Sequence, residues 1–331
     1  MPEVNVSIKQ AINAALDEAL RTDPKVFLIG EDLADPGGGV NGVTAGLSSA
    51  HGLDRVLNTP ISEAAILGAA VGASIEGYRP VAEIMIMDFI GIAVDQIVNH
   101  AAKLRFMSAG RTTCPLTVRT AVFEGAGAGA THAQSLEAWF MHIPGLKVVY
   151  PSSPADAKGL LLSSIFDPDP VLFIEASRMY ARKGPMPSED GFRIPIGKAN
   201  VIRPGNDLTI VTYGPAVWDA LAAAEELAKE GTDAEVIDLR SLVPLDMETV
   251  LTSVSKTRRA LVAHRAACFA GPGAEVASQI NEALFDELLE PVRRVGAQYS
   301  PFPARASEAA VSLGVADILA AARKVGGKQH V

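Results

Sequence analysis

The stretch KVVYPSSPADAKGLLLSSIFDPDPVLF, residues 147–173, decides the fold. It reads as a strand at 147–149, a helix at 154–166 and a strand at 171–174. Short strands alternating with helices build a parallel sheet covered on both faces. The same alternation runs back to the amino terminus. Residues 7–22 form an amphipathic helix, with Ser7 a candidate N-cap and Ile8, Ile12, Leu16 and Leu20 on one face. Val26 to Ile29 and Arg55 to Leu57 are strands. Thr59-Pro60 opens a helix through Ile75 that has no polar face, so burial on all sides is expected. A strand at 80–84, a long helix over 92–108, a strand at 116–119 and a helix near 134–141 complete this half.

Composition changes at 177–206, where Pro185, Pro187, Pro195 and Pro204 interrupt any periodicity and suggest a linker. A second alternating set follows, with strands at 208–213, 234–238, 260–264 and 292–296 and helices at 216–229, 272–286 and 315–324. The fold class expected is α/β with two doubly wound domains. Residues 1–180 form the first, 181–206 the linker and 207–331 the second. A length of 331 residues agrees, at about 150 residues per domain.

Charge and composition exclude several classes. Thirty-eight acidic against 29 basic residues give a net charge of −9, and no basic stretch exists, which argues against nucleic acid or an anionic membrane as partner. The richest apolar run, Ile84 to Val94, is broken by Asp88 and is too short for the roughly 20 residues of a membrane span. The start, MPEVNVSIKQ, has no basic region leading into an apolar core, so a cytoplasmic protein is expected. Cys114 and Cys268 stand far apart, without the spacing of a disulfide framework or a zinc site. With 48% apolar residues the chain is rather apolar for a monomer, which a large subunit interface would explain.

Three side chains are candidates for chemistry. Glu63 lies in the first turn of the helix without a polar face. It is either a carboxylate stabilised by the helix N-terminus or a buried acid facing a ligand at the mouth of the sheet. The glycine-rich loop GAGAGA, 125–130, lacks the G-x-G-x-x-G spacing and the later acidic residue of a dinucleotide site. It reads better as a flexible loop delivering His132 to a cleft. Phe89 and His132, each taken alone, are as readily structural.

Taken together, several segments carry a resemblance: TPISEAAILGAAVG (59–72), AEIMIMDF (82–89), DQIVNHAAKLRFMSAG (95–110), THAQS (131–135), IPIGKA (194–199), VIDLRSLVPLD (236–246) and PVRRVGA (291–297). In order and over nearly the whole chain, they resemble the β subunit of the thiamine-diphosphate-dependent first component of 2-oxo acid dehydrogenase complexes. NGVTAGL and MDFIGIAVDQI are similar to acetoin- and pyruvate-type bacterial subunits. The resemblance implies a transketolase-like fold, with a pyrimidine-binding first domain and a transketolase-C-like second.

It also implies site residues. Glu63 falls where the family's glutamate hydrogen-bonds the aminopyrimidine of thiamine diphosphate and favours the tautomer that deprotonates the thiazolium carbon. Phe89 falls where an aromatic stacks on that ring. His132 falls at the family's active-site histidine, which meets substrate or lipoyl group. The family's next residue is serine, and here it is Ala133. Leu116, Ser164, Ile165, Asp167 and Asp169 match a structural potassium site. The chain has no G-D-G, so Mg²⁺ and the diphosphate cradle are expected on an α subunit, in an α₂β₂ assembly.

The resemblance implies oxidative decarboxylation of a small 2-oxo acid, pyruvate foremost, or acetoin cleavage, with acyl transfer to lipoyl on an acyltransferase core. Two alternatives stand beside it: a transketolase-like or carboligating enzyme without lipoyl transfer, and a non-catalytic interaction paralogue. The second domain departs from the family at Arg265, where an acid is usual. It departs again at Gln298-Tyr299-Ser300 and at Ala306-Ser307-Glu308, so core docking is less secure than catalysis.

Overall fold

Ser7 opens the first helix, α1 (Ile8–Thr22), with a reciprocal cap: its hydroxyl accepts from Gln10 N–H at 3.2 Å and the Gln10 side chain accepts from Ser7 N–H at 2.9 Å. The helix buries Ile8, Ala11, Ile12, Ala15, Leu16, Ala19 and Leu20, the face expected from their spacing. The computed structural model describes residues 2–326. These divide into two compact units: residues 2–123 with 139–196, and residues 124–138 with 197–326.

The first unit contains β1 (Glu3–Ser7), α1, β2 (Val26–Gly30), α2 (Leu47–His51), β3 (Val56–Asn58), α3 (Glu63–Ile75), β4 (Arg79–Ile84), α4 (Leu104–Met107) and β5 (Thr117–Val122). After the short helix α5 (Glu137–Met141), it continues with β6 (Lys147–Val149), α6 (Pro154–Ile165), β7 (Val171–Ala176) and β8 (Lys183–Pro187). Its sheet has the order β6-β7-β5-β4-β2-β3, all parallel. Every residue of β5 and β7 is buried, as a strand covered on both faces requires. Crossing from the first half of the sheet to the second brings the carboxyl ends of β2, β3 and β4 to one edge, where folds of this class place ligands.

The second unit holds β9 (Asn200–Arg203), β10 (Leu208–Thr212), α7 (Ala216–Lys229), β11 (Ala234–Asp238), β12 (Ser241–Val243), α8 (Met247–Thr257), β13 (Ala260–Ala267), α9 (Pro272–Leu284), β14 (Arg293–Ala297) and α10 (Val315–Gly326). Its sheet runs β14-β13-β10-β11-β9, with β9 antiparallel at the edge. Leu208, Ile210, Val236 and Leu261 from the strands pack on Ala216, Ala220, Leu227, Ile318 and Ala322 from α7 and α10.

Three expectations change. The single helix over 92–108 is instead a 3₁₀ segment (Met87–Ala93), a π turn (Gln96–His100), a 3₁₀ turn (Ala101–Lys103) and α4. Apolar spacing fixes which face is inward, but tight contacts fix the winding: a Cβ on Gly145 would stand 2.0 Å from the Ala102 carbonyl oxygen. Within 181–206, β8 pairs antiparallel with β1, and β9 pairs with β11. Helix α3 buries Glu63, Ile66, Leu67, Ala70 and Val71 but leaves Ala64, Ala65, Ala69 and Gly72 exposed, so only one side of this apolar helix is covered within the chain. Among the described residues, no helix is long and apolar enough to cross a membrane.

Candidate active site

At the carboxyl edge of the first sheet, β2 ends in Gly30 and delivers Glu31, while β3 leads through Thr59 into α3. Thr59 N–H donates to Gly30 O at 2.9 Å, which ties the two strand exits together. The Asn58 side chain accepts from Ala34 N–H at 2.8 Å and holds the loop beyond β2. Glu63 therefore starts α3 beside Glu31. It is 7% exposed, and its carboxylate has no hydrogen bond among the described residues. Burial, and next the charge of Glu63, push the Glu31 carboxyl up, while a backbone N–H at Ser62 works against them. Two buried acids thus stand side by side at this edge, and the raised pKa is that of Glu31.

Phe89 follows β4, adjacent to β2 in the sheet. It sits half-buried in the 3₁₀ segment, where its N–H donates to Ile86 O at 3.0 Å. Of the isoleucines beside it, Ile90 is core and Ile92 is exposed. Glu63 and Phe89 therefore share one edge of one sheet.

His132 belongs to the second unit. It ends the loop 125–131, with its N–H donating to Gly129 O at 3.1 Å. Its Nδ1 is hydrogen-bonded to Thr131 Oγ1 at 3.1 Å. The sequence suggested that the imidazole had lost a hydroxyl partner at Ala133. The preceding residue supplies one, and the fully buried Ala133 instead packs with Ala297 and Phe302. Thr131 was legible only as a neighbour; its role needed the turn.

The five residues matched to a potassium site lie at the opposite edge, before β5 and β7. Both Asp167 oxygens accept from Lys147 Nζ at 2.7 Å, and Asp169 accepts from Arg105 Nε at 2.5 Å. Leu116 O accepts from Val171 N–H at 2.9 Å, Ser164 O from Asp167 N–H at 3.2 Å, and Ile165 O from Arg79 Nη1 at 3.3 Å. Both carboxylates are thus paired with side-chain cations, and each of the three carbonyl oxygens has accepted one donor and keeps a second lone pair. Among the described residues, no group of three or more His, Cys, Asp and Glu side chains is placed to hold a metal ion.

Residues 4–183 match the model of the transketolase pyrimidine binding domain, and residues 197–318 match that of the transketolase C-terminal domain. The β subunit of acetoin:2,6-dichlorophenolindophenol oxidoreductase from Cupriavidus necator is 46% identical, covering 98% of each chain. The chain belongs to the family of acetoin and pyruvate dehydrogenase β subunits. Within that family, the pyruvate dehydrogenase E1 component subunit beta of Bacillus subtilis is 43% identical over 96% of this chain and 97% of its own. A solved split-gene transketolase, described as an inactive beta4 tetramer, aligns with a TM-score of 0.78 and 25% identity. The alignment covers 97% of this chain and 98% of that one.

The family is thiamine-diphosphate-dependent, and the residues at the strand exits fit half of that cofactor. Glu63 offers a buried acceptor lacking a donor, beside a second acid that resists ionisation. A protonated ring nitrogen satisfies such an acceptor, and an aromatic face at Phe89 suits a flat heterocycle.

Proposed function

We propose that this chain is the β half of a two-chain enzyme that decarboxylates pyruvate or cleaves acetoin and passes the acyl group to lipoyl. The observation that carries the reading is Glu63: a buried carboxylate without a hydrogen bond at the carboxyl edge of the sheet, in a chain of this family. Bound thiamine diphosphate supplies the carbon nucleophile and the electron sink. Glu63 would hold a proton at the pyrimidine ring nitrogen, with Glu31 beside it. Phe89 fixes the ring by face contact. His132, oriented by Thr131, moves a proton at substrate or lipoyl sulfur.

The diphosphate half of the site belongs to an α subunit that also carries Mg²⁺, in an α₂β₂ assembly. Support comes from the absence of G-D-G in the sequence and from the exposed small-residue face of α3 beside Glu63. Docking to an acyltransferase core follows from the same assignment. An apolar approach at Ile92 suits acetoin or pyruvate better than 2-oxoglutarate, whose second carboxylate would be buried without a partner. The similarity to a split-gene transketolase favours one second reading, two-carbon transfer without lipoate.

The test is thiazolium hydrogen exchange in enzyme reconstituted with its α chain. Glu63→Gln should slow exchange by about 100-fold or more while the assembly stays intact. Near-normal exchange in the mutant would remove the role assigned to Glu63. Turnover of pyruvate and acetoin against sugar-phosphate ketols separates the two readings.

A further inference from the structure

We propose that Glu308 is the positioning residue for His132, acting through the glycine-rich loop. The inference rests on the reading of His132 as an active-site group. Glu308 lies far along the chain, in the 3₁₀ segment Arg305–Ala310, and is 4% exposed. Its carboxylate is spent entirely on the loop: Oε1 accepts from Gly125 N–H at 2.7 Å and Oε2 from Gly127 N–H at 2.6 Å. Two backbone N–H groups converging on one carboxylate make an anion nest, and here the anion is built into the chain.

The segment around Glu308 engages the loop along its length. Arg305 N–H donates to Gly127 O at 3.0 Å, and Ala128 bridges Ala304 in antiparallel fashion. Gly127 has φ +69°, and a Cβ there would lie 2.9 Å from Arg305 Cα, so this position needs glycine twice over. Two residues on, Gly129 O receives the His132 N–H. Hydrogen bonds and the short stretch of chain between Gly127 and Gly129 thus lead from the buried carboxylate to the backbone of His132, all within the second unit.

A loop with glycine at 125, 127 and 129 has little conformational preference of its own, because glycine has the largest backbone freedom to lose. The rigidity His132 requires must therefore come from outside the loop. Glu308 supplies it with two charge-assisted bonds, whereas a glutamine offers one acceptor and sets an amide N–H against the second donor. Glu308 acts on the histidine's position and touches no reacting atom.

The experiment uses the reconstituted α and β enzyme and the variants Glu308→Gln, Glu308→Asp, His132→Ala and the Glu308→Gln/His132→Ala double. Three readouts are taken: turnover, thiazolium hydrogen exchange, and backbone hydrogen exchange of residues 125–135 by mass spectrometry. Glu308→Gln should speed backbone exchange in the loop and lower turnover about 100-fold, the scale of a misplacement near 1 Å. Thiazolium exchange, which depends on Glu63, should stay unchanged. Glu308→Asp should restore part of the turnover, and the double variant should be no slower than His132→Ala.

Unchanged loop exchange in Glu308→Gln overturns the proposal. So does a fall in thiazolium exchange parallel to turnover, which marks general damage, and so does full additivity in the double variant. Normal turnover in His132→Ala with a loosened loop in Glu308→Gln would instead overturn the reading of the histidine.

Discussion

Each unit keeps one arginine inside a strand, clamped by two acids, and the two clamps serve different ends. In the first unit, Arg119 of β5 faces Glu175 of β7 with two parallel bonds, Nε to Oε1 at 2.7 Å and Nη2 to Oε2 at 3.1 Å. Its Nη1 reaches Glu83 of β4 at 2.6 Å, and Tyr180 donates to Glu175 at 2.7 Å. All three acid–base partners stand on neighbouring strands, so this clamp fixes sheet register. In the second unit, Arg265 of β13 places Nε and Nη2 on a single Asp219 oxygen, at 3.1 and 2.6 Å. Its Nη1 meets Glu124 at 2.6 Å.

Glu124 immediately precedes the loop that ends in His132, and Asp219 belongs to α7. This second clamp ties a loop to a scaffold. A buried charge is tolerated where it is paired, and the pairing fixes whichever element carries the partner.

The largest effect should follow loss of the first clamp. Arg119→Met leaves the buried Glu175 and the half-buried Glu83 without a cation, Glu175 keeping only its bond from Tyr180, and should cost about 3–5 kcal/mol. The chain has two tryptophans, Trp139 in the first unit and Trp218 in the second. Urea titrations of Trp139→Phe and Trp218→Phe backgrounds can therefore report the units separately, and the Trp218→Phe background, which keeps Trp139, should show the loss. Arg265→Met should cost less, about 1.5–3 kcal/mol, because the Asp219 side chain is 18% exposed and can recover water. It should also raise backbone exchange at 124–131, which Arg119→Met should leave alone. Equal costs, or no change in the loop, would remove the distinction between the clamps.

His264 precedes Arg265 on β13, and acid should weaken the second unit through it. The ring is buried, with Nδ1 at 3.1 Å from Ala266 O, and burial lowers its pKa from 6.5 to about 4. Between those values the unfolded chain holds a proton that the folded chain refuses. Stability is therefore lost as pH falls from about 6.5 to about 4, by about 1.4 kcal/mol per pH unit. Urea midpoints in the Trp139→Phe background across that range should show this slope, and His264→Gln should flatten it. The smallest change should come from Asp219→Asn, under about 1 kcal/mol, since the half-open side of the clamp is screened by solvent.

The α/β class, the strands at the centres of both sheets and the placement of Glu63 in the first turn of α3 were legible in the sequence. These depend on patterns within a few residues: alternation, apolar runs, and a glutamate opening a helix without a polar face. It left open what sets the helical winding at 87–107, because apolar spacing specifies an inward face and not the hydrogen-bond ladder. It read 181–206 as featureless, because β8 and β9 take their partners from β1 and β11, distant in sequence.

The remaining features depend on contacts between distant segments. Arg265 departs from the family in the sequence, and its partners Glu124 and Asp219 emerge only in the fold. Ala133 looked like a lost partner until Thr131 was found on the imidazole. Glu308 stood in the sequence only as part of a stretch that departs from the family, since nothing in a sequence pairs a carboxylate with backbone N–H groups 181 and 183 residues away. Local physics writes the elements. Pairing of buried charges and backbone donors is a long-range condition, met only once the chain has folded.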